Sequence, residues 1–167
     1  MCSKRLRRRT TLQLDLVLNG RETRLEAGPL DLAVDVLRGA GLFSVRETCG
    51  LGVCGTCTVF LGDVAVSACL LPAFRLDGTR VTTLEGLDDG LHPIQRAFLE
   101  EHAFQCSFCT PGFVLATKAL LDDVTEIRKE DLEAYLGGHL CRCGSYENIV
   151  RAVRRAAIAA DRVWLAD

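Results

Sequence analysis

Val45-Arg46-Glu47-Thr48-Cys49-Gly50-Leu51-Gly52-Val53-Cys54-Gly55-Thr56-Cys57 places three cysteines at C-x4-C-x2-C among small residues, and Cys69 follows after eleven more. Thiolates are soft ligands, and four of them at such spacing in a reducing environment point to metal. Gly50, Gly52 and Gly55 suit a loop that wraps an inorganic centre, because glycine adopts positive φ cheaply and lets backbone N–H groups approach the ligand shell. Three ligands therefore move together in one loop, and the fourth arrives on a later segment.

A second constellation lies downstream. Phe104-Gln105-Cys106-Ser107-Phe108-Cys109-Thr110-Pro111-Gly112-Phe113 supplies a C-x2-C pair, and Gly138-His139-Leu140-Cys141-Arg142-Cys143-Gly144-Ser145-Tyr146 supplies a C-x-C pair. The first set has the plant-type spacing for a 2Fe-2S cluster. Zinc is the competing metal, since four cysteines also make ordinary structural zinc sites. Zinc ribbons commonly use two short knuckles rather than three ligands in one Gly-rich loop, which argues against zinc at the first set. From spacing alone, the second set fits zinc almost as well as iron.

A four-cysteine ferredoxin loop followed by C-x2-C and C-x-C resembles the small iron-sulfur subunit of the molybdenum hydroxylases. That family includes xanthine dehydrogenase, aldehyde oxidoreductase, aerobic carbon monoxide dehydrogenase and bacterial N-heterocycle hydroxylases. The resemblance runs from about Leu12 to about Ala157. It implies an electron relay with two 2Fe-2S clusters, one on Cys49, Cys54, Cys57 and Cys69, the other on Cys106, Cys109, Cys141 and Cys143. It further implies that Gln105, with Cys109 nearby, approaches a molybdopterin cytosine dinucleotide on a large subunit, and that FAD sits on a medium subunit. The expected assembly is a dimer of heterotrimers. Thr48, where relatives often have glycine, and Gly144-Ser145, in place of Thr-Gly, depart from the family pattern without removing a ligand. His139 stands where relatives often carry asparagine.

The rest of the chain predicts an α+β architecture. Leu12, Leu14, Leu16 and Leu18 alternate along Thr11 to Leu18, and Asn19-Gly20 then precedes Glu22 to Glu26, a hairpin signal. Pro29 and Asp31 introduce a helix with Leu30, Val34 and Leu37 on one face, closing at Gly39 and Gly41. Cys57 to Phe60 and Val64 to Ala68 form a second hairpin that returns Cys69 to the loop, and Arg80 to Leu84 makes a last strand. Together these predict a β-grasp plant-type ferredoxin domain over residues 10–84.

Glu85 to Leu91 reads as a linker, and residues 85–162 as an all-α, four-helix-bundle 2Fe-2S domain. Its helices are predicted from Pro93, from Pro111 with Thr110 as N-cap to about Leu121, over Asp131 to Leu136, and from Ser145 to about Ala160. Glu147 and Arg151 are spaced for an i,i+4 pair. Two of these helices begin just after a cysteine pair, so their N-terminal dipoles face a negatively charged centre.

Composition narrows the function. The 167 residues carry a formal net charge of -2, nine cysteines and 49% hydrophobic but only 6% aromatic residues. The single basic block, Lys4 to Arg9, reads as a solvated arm, and Cys2 within it has no partner spacing; no nucleic-acid partner is expected. The basic N-terminus lacks a following apolar h-region, and no stretch approaches the roughly 18 apolar residues of a membrane span, so a cytoplasmic location is expected. Oxidised 2Fe-2S centres held by four thiolates carry roughly -2 each, which would move the chain to roughly -6.

A chain of this kind, with no dinucleotide fingerprint and no acid-base constellation, would have no substrate site of its own. Phe104, Phe108 and Phe113 are expected to form an exposed apolar patch for the large subunit. His92, His102 and His139 are expected at surface or cap positions, because eight thiolates already complete two sites. The rival readings are a free-standing two-cluster ferredoxin and a zinc-stabilised interaction module.

Overall fold

The computed structural model describes residues 11–87 and 90–166. Cys2 and the basic block Lys4 to Arg9 lie outside them. β1 (Leu12–Leu18) and β2 (Arg21–Ala27) pair antiparallel in the register Leu12↔Ala27 to Leu18↔Arg21. Asn19 and Gly20 turn the chain with φ of 50° and 79°, the doubly left-handed hairpin turn that an Asn-Gly pair favours. Asn19 also reaches forward: its side-chain oxygen accepts from the Thr83 N–H at 2.8 Å.

α1 (Ala33–Gly39) buries Ala33, Val34, Val36 and Leu37. Leu30 is not on that face. It precedes the helix start and is 91% exposed, because the Gly28 N–H to Asp31 carboxylate bond forms a tight turn there and delays the helix. β3 (Thr58–Leu61) and β4 (Val64–Ser67) form the second hairpin, and β5 (Arg80–Thr82) inserts between β1 and β3. The sheet order is β2-β1-β5-β3-β4, with β5 parallel to β1 and antiparallel to β3. This sheet and α1 enclose one core, which includes Leu14, Leu16, Leu37, Val59, Leu76 and Val81.

The segment read as a linker begins as a single 3-10 turn, Leu84–Gly86, pinned by Glu85, whose carboxylate accepts from the Ser44 N–H at 2.9 Å. Burial opposes ionisation of Glu85, but donors from Ser44 and Thr83 outweigh it and hold the carboxyl below its ordinary value.

α2 (Pro93–Glu100) starts with Pro93 after a His92 cap, whose Nδ1 accepts from the Ile94 N–H at 3.2 Å. α3 (Thr110–Asp123), α4 (Lys129–Leu136) and α5 (Tyr146–Ala159) complete the helices. α2 lies against α5, and α3 against α4. Thr110 is the first helical residue, not the cap. Cys109 already has helical backbone angles and takes the capping position, leaving the Thr110 hydroxyl buried without a partner. Ser145 does occupy the N-cap of α5, yet its hydroxyl makes no capping bond.

The expected Glu147–Arg151 pair forms at 2.9 Å. β6 (Glu126–Ile127) and β7 (Val163–Trp164) make a two-residue parallel pair that ties the chain end to the region after α3; nothing in the residue pattern foretold it. The helices share a second core around Phe98, Phe113, Leu120, Ile127 and Ile149. Phe60 of β3 packs with Leu115 and Ala119 of α3, so sheet and bundle share a smaller third core.

Candidate metal centres

All eight expected ligands are free thiols, and the fold gathers them into two places. In the first loop Gly50, Gly52 and Gly55 have φ of 63°, 69° and 67°, so the chain curls with its amides inward. The N–H groups of Leu51 and Val53 donate to Cys49 Sγ at 3.3 and 3.4 Å. These bonds, led by that from Leu51, pull the Cys49 thiol down to about 6, where the metal-binding thiolate prevails at neutral pH. Cys57 lies deeper, and burial pushes its thiol up to about 11. Cys54 Sγ lies 3.2 Å from the Thr56 hydroxyl.

The second place repeats this contrast. Cys106 is exposed and held low, first by the Phe108 N–H, whereas burial pushes Cys109 up to about 12. Cys141 meets opposing effects. Burial raises it, but donors led by the Ser145 N–H, 3.4 Å from its sulfur, bring it below the ordinary value. The first N–H of the α5 cap is thus spent on sulfur.

The thiols divide two and two. Cys54 is among the groups that lower Cys49, and Cys69 is the leading group acting on Cys57 after its burial. After burial, Cys141 is the next group that raises Cys109, and the sulfurs of Cys106 and Cys143 stand 3.5 Å apart. Among the described residues no three His, Cys, Asp or Glu side chains converge as they would around a single ion. Pairs of thiolates fit a two-iron core, in which each iron takes two cysteines and two sulfides, better than one tetrahedral zinc.

Gln105 is exposed, and its Nε2 donates to the Cys143 carbonyl at 3.3 Å. Of the expected aromatic patch, Phe108 is 44% exposed, but Phe113 is only 1% exposed and belongs to the bundle core. Its place one turn into α3 points it inward, against Tyr146 and His139. Leu140 and Tyr146, 48% and 45% exposed, stand at the surface of the second cysteine loop instead.

His139 corrects the expectation of a surface histidine. Its ring lies 5.4 Å from that of Phe113, its Nε2 is 3.1 Å from the Thr58 hydroxyl, and its Nδ1 is buried without a partner. Burial lowers its pKa to about 4, so the ring is neutral at physiological pH. A Cβ on Gly55 would fall 2.3 Å from the ring, and one on Gly112 would fall 2.1 Å from the Gly55 carbonyl oxygen. Bare backbone is what lets the two cysteine loops meet. There the Leu140 N–H donates to the Cys54 carbonyl at 3.0 Å, joining the neighbour of one expected ligand to another. Sequence reasoning missed Arg46 and this bond, because their partners lie tens of residues away, and it also missed Thr56, whose hydroxyl bonds to the nearby Arg46 carbonyl.

Comparison with known proteins places this geometry. Residues 16–83 match the 2Fe-2S iron-sulfur cluster binding domain, and residues 83–154 match the 2Fe-2S binding domain that accompanies it. The chain is 39% identical over 148 residues to the nicotinate dehydrogenase small FeS subunit of Eubacterium barkeri, covering 87% of this chain and 94% of that one. It is 38% identical over 152 residues to the xanthine dehydrogenase iron-sulfur-binding subunit of Escherichia coli O157:H7, covering 86% and 92%. Among solved structures, quinoline 2-oxidoreductase from Pseudomonas putida 86 superposes with a TM-score of 0.84 at 30% identity, covering 90% of this chain and 96% of that one. A ferredoxin domain followed by a helical 2Fe-2S domain, in an α+β fold shared with these relatives, shows that the chain belongs to the electron-transfer iron-sulfur subunits of the molybdenum-containing hydroxylases and dehydrogenases.

Proposed function

We propose that this chain relays electrons, one at a time, from a molybdopterin cytosine dinucleotide on a large subunit to FAD on a medium subunit. The assembly is a dimer of heterotrimers in the cytoplasm. Each 2Fe-2S cluster, when bound, takes up and releases a single electron. Cys106, Cys109, Cys141 and Cys143 hold the entry cluster within residues 85–162, and Cys49, Cys54, Cys57 and Cys69 hold the exit cluster within residues 10–84. Gln105 and Cys109 form the edge that meets the pterin. Leu51 and Val53, 71% and 63% exposed on the first loop, rim the exit side.

The observation that carries this reading is the Leu140 N–H to Cys54 carbonyl bond at 3.0 Å. It joins the two cysteine loops by one hydrogen bond between the residue before Cys141 and Cys54 itself, a short bonded connection between the two sites. Donors around Cys49, Cys106 and Cys141 favour thiolates without metal, while buried Cys57 and Cys109 ionise only against the charge of iron.

The test is metal analysis and electron paramagnetic resonance of the reduced complex. About four iron and four acid-labile sulfides per chain are expected, with two distinct signals. Cys57→Ser should abolish one signal and Cys109→Ser the other, whereas Cys2→Ser should change neither. Stoichiometric zinc, or a single signal in the wild type, defeats the proposal.

A further inference from the structure

Arg46 belongs to the first cysteine loop, three residues before Cys49, yet its side chain serves the second. Its Nη1 donates to the Ser107 carbonyl at 2.5 Å, and its guanidinium carbon lies 4.9 Å from the centre of the Phe108 ring. Both recipients sit inside the Cys106–Cys109 turn. Ser107 holds a φ of 61° there, a conformation that costs a non-glycine residue free energy unless its surroundings enforce it.

The arginine is itself fixed at its base. Its N–H donates to the Thr56 carbonyl at 3.1 Å, and its carbonyl accepts from the Thr56 hydroxyl at 2.8 Å. That hydroxyl is the one beside Cys54 Sγ. A rigid two-bond ladder in the first loop thus aims a guanidinium at the backbone of the second. Among the described residues no carboxylate forms an ion pair with Arg46, so its charge is not cancelled locally.

We propose that Arg46 is a positioning residue acting across the two loops: anchored in the first, it braces the Cys106–Cys109 turn and sets the electron affinity of the second cluster. This rests on the reading above that Cys106, Cys109, Cys141 and Cys143 hold such a cluster. Reduction adds negative charge to an already anionic centre. A fixed cation beside it stabilises the reduced form, and a half-buried charge stacked on an aromatic ring is screened less than one in water. Arginine suits the role because it stays protonated, stacks on a ring and donates to a carbonyl at once.

The experiment is a redox titration of the native complex and of its Arg46→Lys, Arg46→Gln and Arg46→Met variants, following both resonance signals as assigned by the Cys57→Ser and Cys109→Ser variants. Arg46→Gln and Arg46→Met should keep both signals but make the second cluster harder to reduce by about tenfold in its one-electron equilibrium, or about 59 mV. The first cluster should move less, and Arg46→Lys should restore most of the shift. If Arg46→Met loses the second cluster's iron, the Gln and Lys variants, which retain a donor for the Ser107 carbonyl, decide the matter. The role is overturned if the second cluster titrates as in wild type in the Gln variant, or if the first moves as far as the second. It also fails if Gln rescues where Lys does not. A wild-type complex without two signals overturns the cluster reading as well, whereas two signals at unchanged potentials overturn only the role of Arg46.

Discussion

Gln105 braces the second cysteine site through that site's backbone. Its bond to the Cys143 carbonyl spans the two cysteine pairs at 3.3 Å on an exposed edge, where a neutral hydrogen bond contributes roughly 1 kcal/mol or less. So weak a tie can be exchanged for a contact with a partner's cofactor at little cost. Gln105→Ala should therefore leave iron content and both resonance signals intact, yet slow reduction of the chain by the complex's substrate by tenfold or more in rapid-mixing experiments. A wild-type rate would remove Gln105 from the transfer path. His139 is the complementary case: a neutral ring between Thr58 and Phe113 whose orphaned Nδ1 is tolerated because its other contacts hold it.

At the scale of elements, the site depends on how closely the first turn of α3 approaches the first loop. Gly112 meets the Gly55 carbonyl so tightly that Gly112→Ala would drive a methyl group into backbone that cannot rotate away. Overpacking of this kind costs roughly 1–3 kcal/mol. The variant should melt several degrees lower than wild type while Gly78→Ala, in open space though also strained in φ, leaves the contact between the loops intact. The discriminating measurement is iron retained at the second site during a thermal ramp, lost early only in Gly112→Ala.

Both hairpins, α1, α2 and the helices following each cysteine pair were legible because their signals are local: Asn19-Gly20, alternating leucines, Pro93, Pro111 and Ser145. The thiols that the sequence singled out lie on the segments it expected, with the sulfurs of Cys106 and Cys143 3.5 Å apart, since cysteine spacing encodes a loop. What the residues could not disclose was tertiary. Leu30 matches a helical period but lies outside the helix, and Thr110 looks like a cap but yields that place to Cys109. Phe113 shares a motif with exposed Phe108 and faces the other way. Arg46 and Ser107 are 61 residues apart, so no window of sequence contains both.

Across the whole molecule, apolar side chains remain uncovered around both cysteine loops. Phe108, Leu140 and Tyr146 flank the second, and Leu51, Val53 and Leu70 the first. Exposed apolar groups gathered beside functional loops mark surfaces that partners cover. Phe108→Asp should place a charge in such a contact, next to the Arg46 guanidinium, and prevent recovery of the large subunit on co-purification while the chain keeps its iron. Normal assembly would locate the interface elsewhere. Among the described residues no helix is long and apolar enough to cross a membrane.

The hydrogen bond from Leu140 to Cys54 also gives the chain a history. All five strands of the larger sheet and the four cysteines Cys49, Cys54, Cys57 and Cys69 are complete by Thr82, so a growing polypeptide can close that unit while its remainder is still being synthesised. The segment carrying His139 and Leu140 emerges later and finds Gly55, Thr58 and the Cys54 carbonyl already in place. The earlier half is thus available as the surface against which the later half packs, through the Leu140–Cys54 bond and the His139–Thr58 contact.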